Sequence, residues 1–254
     1  MKTFLQKALQ ETFDWLLPPA CQLCGETLIP SSVIHLCQPC RERFPKITSP
    51  RCPHCLLPHA TPAGADYPCE ECLRNPLPTS QVVALGSYQE GLREAIHRFK
   101  FRGGIGLSRP FGELLASSLA EGKIIPDSIV PVPLHGRRLR RRGYNQSHLI
   151  ARELQRSLGG VLEKRLLVRS QETLPQQELP LSERRRNVRG AFMVTRKLGG
   201  ESILLVDDVL TTGATVRGCA EVLRKAGAAD IVVAVLARAP RPGGDNLSEM
   251  PIRG

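Results

Sequence analysis

Four Cys-x-x-Cys pairs stand within the first 72 residues of this 254-residue chain and hold eight of its nine cysteines. Twelve residues separate the first two pairs, and thirteen separate the last two. Each Cys-x-x-Cys turn directs two thiolates at one point, and two such turns complete a tetrahedral sulfur site that suits Zn²⁺. The spacing predicts two successive zinc ribbons. The first ribbon has Cys21, Cys24, Cys37 and Cys40 as ligands, and the second ribbon has Cys52, Cys55, Cys69 and Cys72.

Ligand pairing and occupancy stay open at this point. The pairs could interleave, so that the first joins the third, and one of the two sites could be vestigial. A complete four-sulfur shell leaves no open coordination position, so two structural zinc ions are expected. His35, His54 and His59 lie outside the Cys-x-x-Cys frame and are interpreted as bystanders. Cys219 falls within a predicted helix, where it is expected to be a small buried hydrophobic residue.

Composition divides the chain into three zones. Residues 1–78 are rich in cysteine and proline, residues 79–240 form the candidate main domain, and residues 241–254 are expected to be a flexible tail. The middle zone alternates apolar runs with amphipathic runs, which predicts an α/β fold with a parallel sheet covered by helices on both faces. The predicted strands are 81–88, 128–134, 202–208 and 230–238, and the predicted helices are 90–101, 109–120, 145–158 and 216–227.

An amphipathic helix is predicted over residues 2–17 and ends at Pro18-Pro19. Docking on its own protein is favoured over an in-plane membrane helix, because its polar face carries little positive charge. The sequence has neither a secretory signal nor an apolar run near the ~20 residues of a membrane span. The chain is therefore expected in the cytoplasm, where paired cysteines favour metal over disulfides, or peripherally at the inner face of the membrane.

The segment ILLVDDVLTTGATV, residues 203–216, places Asp207 and Asp208 between an apolar strand and a threonine-rich turn. In an open α/β sheet, ligands bind beyond the carboxyl ends of the strands. Gly213 permits a tight turn, and the threonine hydroxyls, backbone N–H groups and following helix N-terminus form a phosphate cup. The two carboxylates can accept hydrogen bonds from the hydroxyls of a ribose, and they stabilise positive charge that develops on its ring. A sugar phosphate is the predicted ligand.

The chain has a net charge of +11, and its arginines are clustered. Five of them lie within residues 137–142, in a predicted binding loop between a strand and a helix, and Arg184–Arg186 form a second cluster. Arginine suits phosphate oxygens, and the charge favours phosphates, nucleic acid or a membrane surface as partners. Aromatic residues make up only 4% of the chain, so stacking platforms for bases are few. Contact with nucleic acid is therefore expected to be electrostatic and sequence-independent.

The Asp-Asp-Val-Leu-Thr-Thr-Gly-Ala-Thr run resembles the 5-phosphoribosyl-1-pyrophosphate (PRPP) signature of type I phosphoribosyltransferases. The whole chain resembles the ComF family, which includes GntX-type proteins. That resemblance implies a type I phosphoribosyltransferase-like core after the zinc ribbons. It also implies a role in DNA uptake or utilisation, notably in handling single-stranded DNA during natural transformation beside other DNA-uptake proteins. The stretches that carry it are LLPPACQLC, LCQPC, RCPHC, CEEC, FKFRGG, PVPLHGRRLRRRGYNQS and RRRNVRGAF, which span nearly the whole chain.

The resemblance also implies roles by position. Asp207 and Asp208 would hold the ribose hydroxyls as catalytic residues, and Mg²⁺ would arrive with the pyrophosphate. The segment 169–187 matches the mobile loop that closes over PRPP, with Arg169, Arg184, Arg185 and Arg186 as its anion-binding residues. The 5-phosphate would be held by Thr211, Thr212, Gly213, Ala214 and Thr215, and the pyrophosphate by Leu134, His135, Gly136 and Arg137.

Three functions are compatible with these features. The chain could be a phosphoribosyltransferase that breaks the anomeric C–O bond of PRPP, a PRPP sensor without turnover, or an adaptor that only binds single-stranded DNA. The PRPP signature supports the first two equally, because no acceptor site is identified. Position 2 is Lys, so the N-terminal cysteine nucleophile of a glutamine amidotransferase is not found here.

Overall fold

The computed structural model describes residues 19–28, 34–59, 64–101, 103–169 and 190–240. The predicted helix 2–17, the tail 241–254 and the Arg184–Arg186 cluster lie outside these described residues. The strands are β1 Gln81–Ser87, β2 Ser128–Pro131, β3 Val161–Leu162, β4 Leu167–Arg169, β5 Phe192–Val194, β6 Ser202–Leu210 and β7 Asp230–Arg238. The helices are α1 Gln38–Glu42, α2 Glu70–Arg74, α3 Glu90–Phe101, α4 Ser108–Glu121, α5 Gly136–Arg142, α6 Gln146–Leu158 and α7 Ala214–Ala226, with a 3₁₀ turn at Ile105–Leu107.

A five-stranded sheet in the order β1-β7-β6-β2-β3 organises the fold, and its strands are all parallel. The predicted parallel α/β sheet is therefore confirmed. Residues 203–206 of the central strand β6 are fully buried, as expected of an apolar run covered on both faces. Strands β4 and β5 form a separate antiparallel pair.

The two faces of the sheet support different hydrophobic cores. Leu204 and Val206 of β6 pack in one core with α3, α4 and α6, and this core includes Cys21 of the first ribbon. Ile203 and Leu205 point to the opposite face and pack with α7, in a core that holds all four ligands of the second ribbon. Because side chains alternate along a strand, the two ribbons pack against opposite faces of one sheet.

Glycine and asparagine set the ends of the two helices nearest the candidate site. Helix α7 starts after Gly213, which has φ = +79°, and ends at Gly227, which has φ = +111°. A Cβ at Gly227 would lie 2.5 Å from the Leu198 carbonyl oxygen, so both the conformation and the space favour glycine. Helix α6 starts at Asn145, whose side-chain oxygen accepts the Ser147 N–H at 3.0 Å.

Three predicted elements differ from the structure. Strand β2 ends at Pro131 rather than at residue 134, because the prolines at 131 and 133 have no N–H to extend the ladder. Strand β6 runs on to Leu210 through its pairing with β7. The arginine-rich segment was expected to be a loop, and that prediction was wrong: residues 136–142 form α5, which ends at Gly143 with φ = +82°.

Cys219 is fully buried in α7, as predicted for a small hydrophobic residue. Within the described part of the chain, none of the helices combines the length and apolarity needed to cross a membrane.

Candidate functional site

The two adjacent carboxylates lie where β6 extends past its neighbour β2. The pairing of β2 with β6 ends at Pro131 and Val206, followed by one hydrogen bond from the Val132 N–H to the Val206 carbonyl. On its other side, β6 stays paired with β7 as far as Leu210. Asp207 is therefore the first residue of β6 beyond the β2 ladder, at the carboxyl edge where open α/β sheets bind ligands.

Each carboxylate has a specific partner. The Asp207 Oδ1 accepts the Ser147 hydroxyl at 3.1 Å and the Asp208 backbone N–H at 2.9 Å. The Asp208 Oδ1 lies 2.9 Å from the Lys100 Nζ, and the two side chains are only 17% and 11% exposed. The pair of acids is thus held from two helices, α6 through Ser147 and α3 through Lys100, with one lysine balancing part of its charge.

The environment makes Asp207 a weak acid. Burial, and after it the neighbouring Asp208 carboxylate, raise the pKa of Asp207 from 3.8 to about 7. The hydrogen bond from the Asp208 backbone and the Lys100 ammonium oppose that rise. The protonation state of this carboxyl group therefore changes near neutral pH, which is typical of groups in functional sites.

The turn after β6, residues 211–215, lies beside the acids and opens α7. Gly213 adopts the left-handed conformation just before the first residue of the helix. The Thr212 hydroxyl accepts the Ala214 N–H at 3.4 Å, and the Arg217 N–H bonds the Gly213 carbonyl oxygen. The turn therefore joins hydroxyls to the N-terminus of a 13-residue helix, a combination that suits a phosphate group.

The predicted pyrophosphate segment, residues 134–137, leaves the same edge of the sheet from the adjacent strand β2. The His135 Nδ1 accepts the Arg137 N–H at 3.4 Å, which caps helix α5. The chain then places four more arginines along α5, a helix without a buried residue. The structure thus brings the predicted pyrophosphate segment and the acids together at one edge of the sheet.

Two arginines connect this basic segment to the acids. The Arg142 Nη1 donates to the Gln146 side-chain oxygen at 2.7 Å, and its guanidinium lies 4.8 Å from the Phe101 ring centroid. Burial lowers the pKa of Arg142, and the Asp208 carboxylate opposes that effect. Burial, and after it the positive charge of Arg138, lower the pKa of Arg169. Cys219 and then Asp207 raise it. Positive charge therefore surrounds the acids from several elements.

Lys100, Ser147 and Arg142 were missed as site residues by sequence reasoning. Ser147 lies two residues after the N-cap Asn145, and a serine in the first turn of a helix gives no signal of a functional role. Arg142 was counted only as one of a cluster. Lys100 is flanked by two phenylalanines at the end of an amphipathic helix, and such a placement of a lysine is a signal that could have identified it. Arg169, predicted as an anion-binding residue of the mobile loop, lies close enough for the Asp207 charge to act on its pKa, whereas its companions Arg184–Arg186 lie outside the described residues.

The eight paired cysteines form two four-sulfur clusters. In each cluster all ligand atoms lie within 4.8 Å of one another, and the pairing is sequential rather than interleaved. The Cys24 and Cys37 sulfurs are 3.6 Å apart, and the Cys55 and Cys69 sulfurs are 3.7 Å apart. A ZnS₄ tetrahedron with bonds of about 2.3 Å has edges of ~3.8 Å, so both clusters fit zinc.

The two ribbons share one local design. In each, the first cysteine pair closes a hairpin turn with an isolated β-bridge, Ala20 to Thr27 and Arg51 to Pro58. The second pair then begins a five-residue helix, α1 or α2. Among the histidines predicted to be bystanders, His35 lies 3.7 Å from Glu113 and His59 stacks on Tyr67, and no histidine belongs to either cluster of described residues.

A cavity of about 360 Å³ separates the second ribbon from the turn at residues 211–213. Ligands of the second zinc site line one side of this cavity, and the threonine turn lines another. The lining also includes both acidic and basic side chains. Its lining includes Cys55, Cys72, Leu77, Thr211, Arg217 and Arg238.

Comparison with known proteins gives the same two parts. The model of the double zinc ribbon domain matches residues 12–73, and that of the phosphoribosyl transferase domain matches residues 139–248. DNA utilization protein YhgH of Salmonella typhimurium is 34% identical over 229 residues, covering 87% of this chain and 98% of the relative. Competence protein F of Haemophilus influenzae is 32% identical over 217 residues, covering 80% and 90%. The chain belongs to the ComF family.

Competence protein ComFC of Bacillus subtilis is a further member, 32% identical over 205 residues and covering 76% of this chain and 80% of its own. Family membership accounts for the order of the parts found here, with two Cys₄ zinc ribbons ahead of a phosphoribosyltransferase-like sheet. The resemblance noted in the sequence is therefore confirmed at the level of family and fold.

Proposed function

We propose that this ComF-family chain binds PRPP through its phosphoribosyltransferase-like core and acts in DNA uptake or utilisation. The observation that carries the proposal is the placement of Asp207 and Asp208 two residues before the threonine turn, at the carboxyl edge of the central strand. A ligand with both ribose hydroxyls and a phosphate matches this arrangement. The carboxylates accept hydrogen bonds from hydroxyls, the turn binds an anion, and both lie within nine residues. The proposed organisation is a ribbon module over residues 1–78 and a ligand-binding core over residues 79–240.

In the proposed complex, each group of residues has one task. Asp207 and Asp208 accept hydrogen bonds from the two ribose hydroxyls. Their charge also favours the positive charge that develops on the ribose ring when the anomeric bond breaks. The turn 211–215 holds the 5-phosphate through backbone N–H groups and hydroxyls. Residues 134–137 hold the pyrophosphate, and Arg169 and the Arg184–Arg186 cluster belong to the segment that the family resemblance assigns to closure over it. Mg²⁺ arriving with the pyrophosphate would offset part of its negative charge.

The Lys100 ammonium has a defined place in this proposal. It lies 2.9 Å from the Asp208 Oδ1 and is largely buried, so it places a positive charge beside the two adjacent carboxylates before any ligand arrives. Lys100 thus holds the Asp208 side chain in place for ribose, while burial raises the pKa of the neighbouring Asp207 to about 7.

Binding of PRPP is tested by thermal unfolding of the zinc-loaded protein. Mg²⁺ with PRPP at a hundredfold excess over Kd should stabilise the fold by about 2.7 kcal/mol, which raises the melting temperature by roughly 5–10 °C. Mg²⁺ with ribose 5-phosphate or with pyrophosphate alone should give smaller shifts. Equal melting temperatures with and without PRPP would refute the ligand assignment. Release of pyrophosphate across a panel of bases, amines and oligonucleotides then separates a transferase from a sensor.

A contact with single-stranded DNA is the second part of the proposal, and helix α5 supports it. Arg137, Arg140 and Arg141 are exposed on a seven-residue helix with no buried residue, next to the candidate ligand site. The names of the relatives, DNA utilization protein and competence protein, agree with a nucleic acid partner. The alternative, an adaptor that binds DNA without PRPP, would use the same helix.

Binding to an unstructured oligonucleotide should weaken steeply with salt. Three phosphate contacts give a slope of about −2 in log K against log salt, which is a loss of roughly 20-fold between 50 and 200 mM. Arg140→Gln with Arg141→Gln should reduce that slope by ~1.4. A matched control is Arg93→Gln with Lys123→Gln, which removes the same charge from other elements. If the control weakens binding as much as the α5 variant, the contact is not localised on α5.

A further inference from the structure

Arg238, the last residue of β7, links the second ribbon to the threonine turn. Its Nε donates to the Cys55 carbonyl oxygen at 2.8 Å, and its Nη2 lies 3.9 Å from the Cys55 sulfur. Its Nη1 donates to the carbonyl oxygens of Leu210 at 3.0 Å and Thr211 at 2.6 Å. One guanidinium therefore joins a metal ligand to the start of the candidate phosphate turn.

The burial of this arginine needs an electrostatic explanation. Arg238 is only 5% exposed, and the partners found for it among the described residues are carbonyl oxygens and the Cys55 sulfur rather than carboxylates. A guanidinium stays charged, and a buried charge is costly unless it is compensated. Four cysteine thiolates around one Zn²⁺ carry a net charge of −2, and the second cluster has the geometry for that centre. With Zn²⁺ bound, this thiolate centre would be the anion beside Arg238 that compensates its charge, since the Cys55 sulfur lies 3.9 Å from the guanidinium.

Other contacts attach the same turn to the chain that leaves the second ribbon. Arg217, in the first turn of α7, donates from Nη1 to the Pro76 carbonyl oxygen at 2.7 Å and from Nη2 to the Asn75 carbonyl oxygen. A Cβ at Gly213 would lie 3.3 Å from the Leu77 side chain. The first ribbon has a different attachment, through the Arg98 Nη1 to the Leu23 carbonyl oxygen at 2.6 Å, on the other face of the sheet.

We propose that Arg238 is a positioning residue that holds the threonine turn against the zinc-loaded second ribbon, so that zinc in the second cluster, and not in the first, sets the order of the turn. Its charge balances the zinc thiolate centre, and its planar fork fixes the carbonyl groups of Leu210 and Thr211. The proposal deepens the proposed function, since the turn is the proposed phosphate site, but the coupling is defined without any PRPP.

The experiment measures two quantities on the full zinc-loaded chain without PRPP: amide hydrogen exchange over residues 210–215, and the rate of zinc release to a chelator. In Arg238→Gln, exchange over the turn and release of the second zinc should both become at least about tenfold faster. Arg238→Lys keeps the charge but cannot span both sets of carbonyl groups. It should therefore retain zinc nearly as the wild type does while its turn exchanges as fast as in Arg238→Gln.

Arg98→Gln is the matched control, because it removes an arginine that donates to a ribbon carbonyl at the other cluster. It should leave exchange over residues 210–215 unchanged. If Arg238→Gln does not fold, Cys72→Ser and Cys24→Ser answer the same question: only Cys72→Ser should expose the turn. Unchanged protection after loss of the second zinc, or equal exposure after loss of the first, would overturn the coupling. Because PRPP is absent, failure of the ligand assignment would leave these results untouched.

Discussion

At pH 8, the Asp207→Asn variant should unfold at a higher temperature than the wild-type protein, and it should have lost most of its response to PRPP with Mg²⁺. The ligand effect follows from the loss of a charged acceptor for a ribose hydroxyl. A hydrogen bond to a charged group contributes about 1.5–3 kcal/mol, so the affinity for PRPP should fall roughly 10- to 100-fold. The measurement is thermal unfolding at several pH values, with and without PRPP.

The gain in stability follows from the raised pKa of Asp207. The unfolded carboxyl group titrates near 3.8 and the folded one at about 7, because burial and Asp208 disfavour its ionised form. Between these two values the folded state binds more protons, so the free energy of unfolding falls as the pH rises from about 4 to 7. Asparagine does not titrate, and its side-chain oxygen can still accept from Ser147 and from the Asp208 backbone. It should recover of the order of 1–4 kcal/mol at pH 8 and little below about pH 4.

Two comparisons make this prediction specific. Asp208→Asn should also weaken PRPP binding, but it should lower the melting temperature, because it leaves the buried Lys100 ammonium without its carboxylate. Asp127→Asn is the control: its carboxylate accepts the Ser202 N–H at 2.8 Å at the opposite edge of the sheet. The control should keep the full response to PRPP. An Asp207→Asn protein that is less stable than the wild type at pH 8 would contradict the proposed origin of the pKa.

Local sequence signals predicted the backbone around the two acids well. The apolar run 203–206 marks a strand covered on both faces, and Gly213 marks the turn before α7, so the sequence alone places the acids at the end of a buried strand. The spacing of the cysteine pairs likewise predicted both zinc clusters. These features succeed because strand, turn and ligand residues are adjacent in sequence and their physics is local.

The arginine-rich segment shows how a strong functional signal can hide a structural one. Its charge favoured a binding loop, yet arginine and leucine are good helix formers. The residues at both ends also fit a helix, with His135 as N-cap and Gly143 in the left-handed conformation as C-cap. Charge density describes what a segment binds, whereas helix propensity and caps describe its backbone, and the two should be assessed separately.

Contacts between distant residues could not be predicted in this way. Lys100 and Asp208 are brought together only because α3 packs near the carboxyl edge of β6. Arg238 reaches Cys55 across 183 positions in the chain. The packing of the two ribbons on opposite faces of the sheet is equally a result of tertiary structure, since their sequences share one local design.

The opposite placement of the ribbons leads to a large expected difference between the two zinc ions. Elemental analysis should find close to two zinc ions per chain, and a chelator should remove them in two phases of one zinc each. The first cluster has an exposed sulfur at Cys24 and a half-buried one at Cys37, whereas all four ligands of the second cluster are buried. Access by solvent and competing ligands controls metal exchange, so the first zinc should leave at least about tenfold faster.

The two phases can be assigned to the clusters by substitution. Cys24→Ser should remove the fast phase and Cys72→Ser the slow one, as followed by a chromogenic chelator. A single phase, or a fast phase that persists in Cys24→Ser, would contradict the assignment. Loss of the second zinc should also destabilise the fold more, because all four of its ligands belong to the core that packs α7 against Ile203 and Leu205 of β6, whereas only two ligands of the first zinc are buried core residues. Structural zinc contributes about 10–16 kcal/mol to the folding of isolated ribbons, and only the second cluster places that energy beside the proposed phosphate turn.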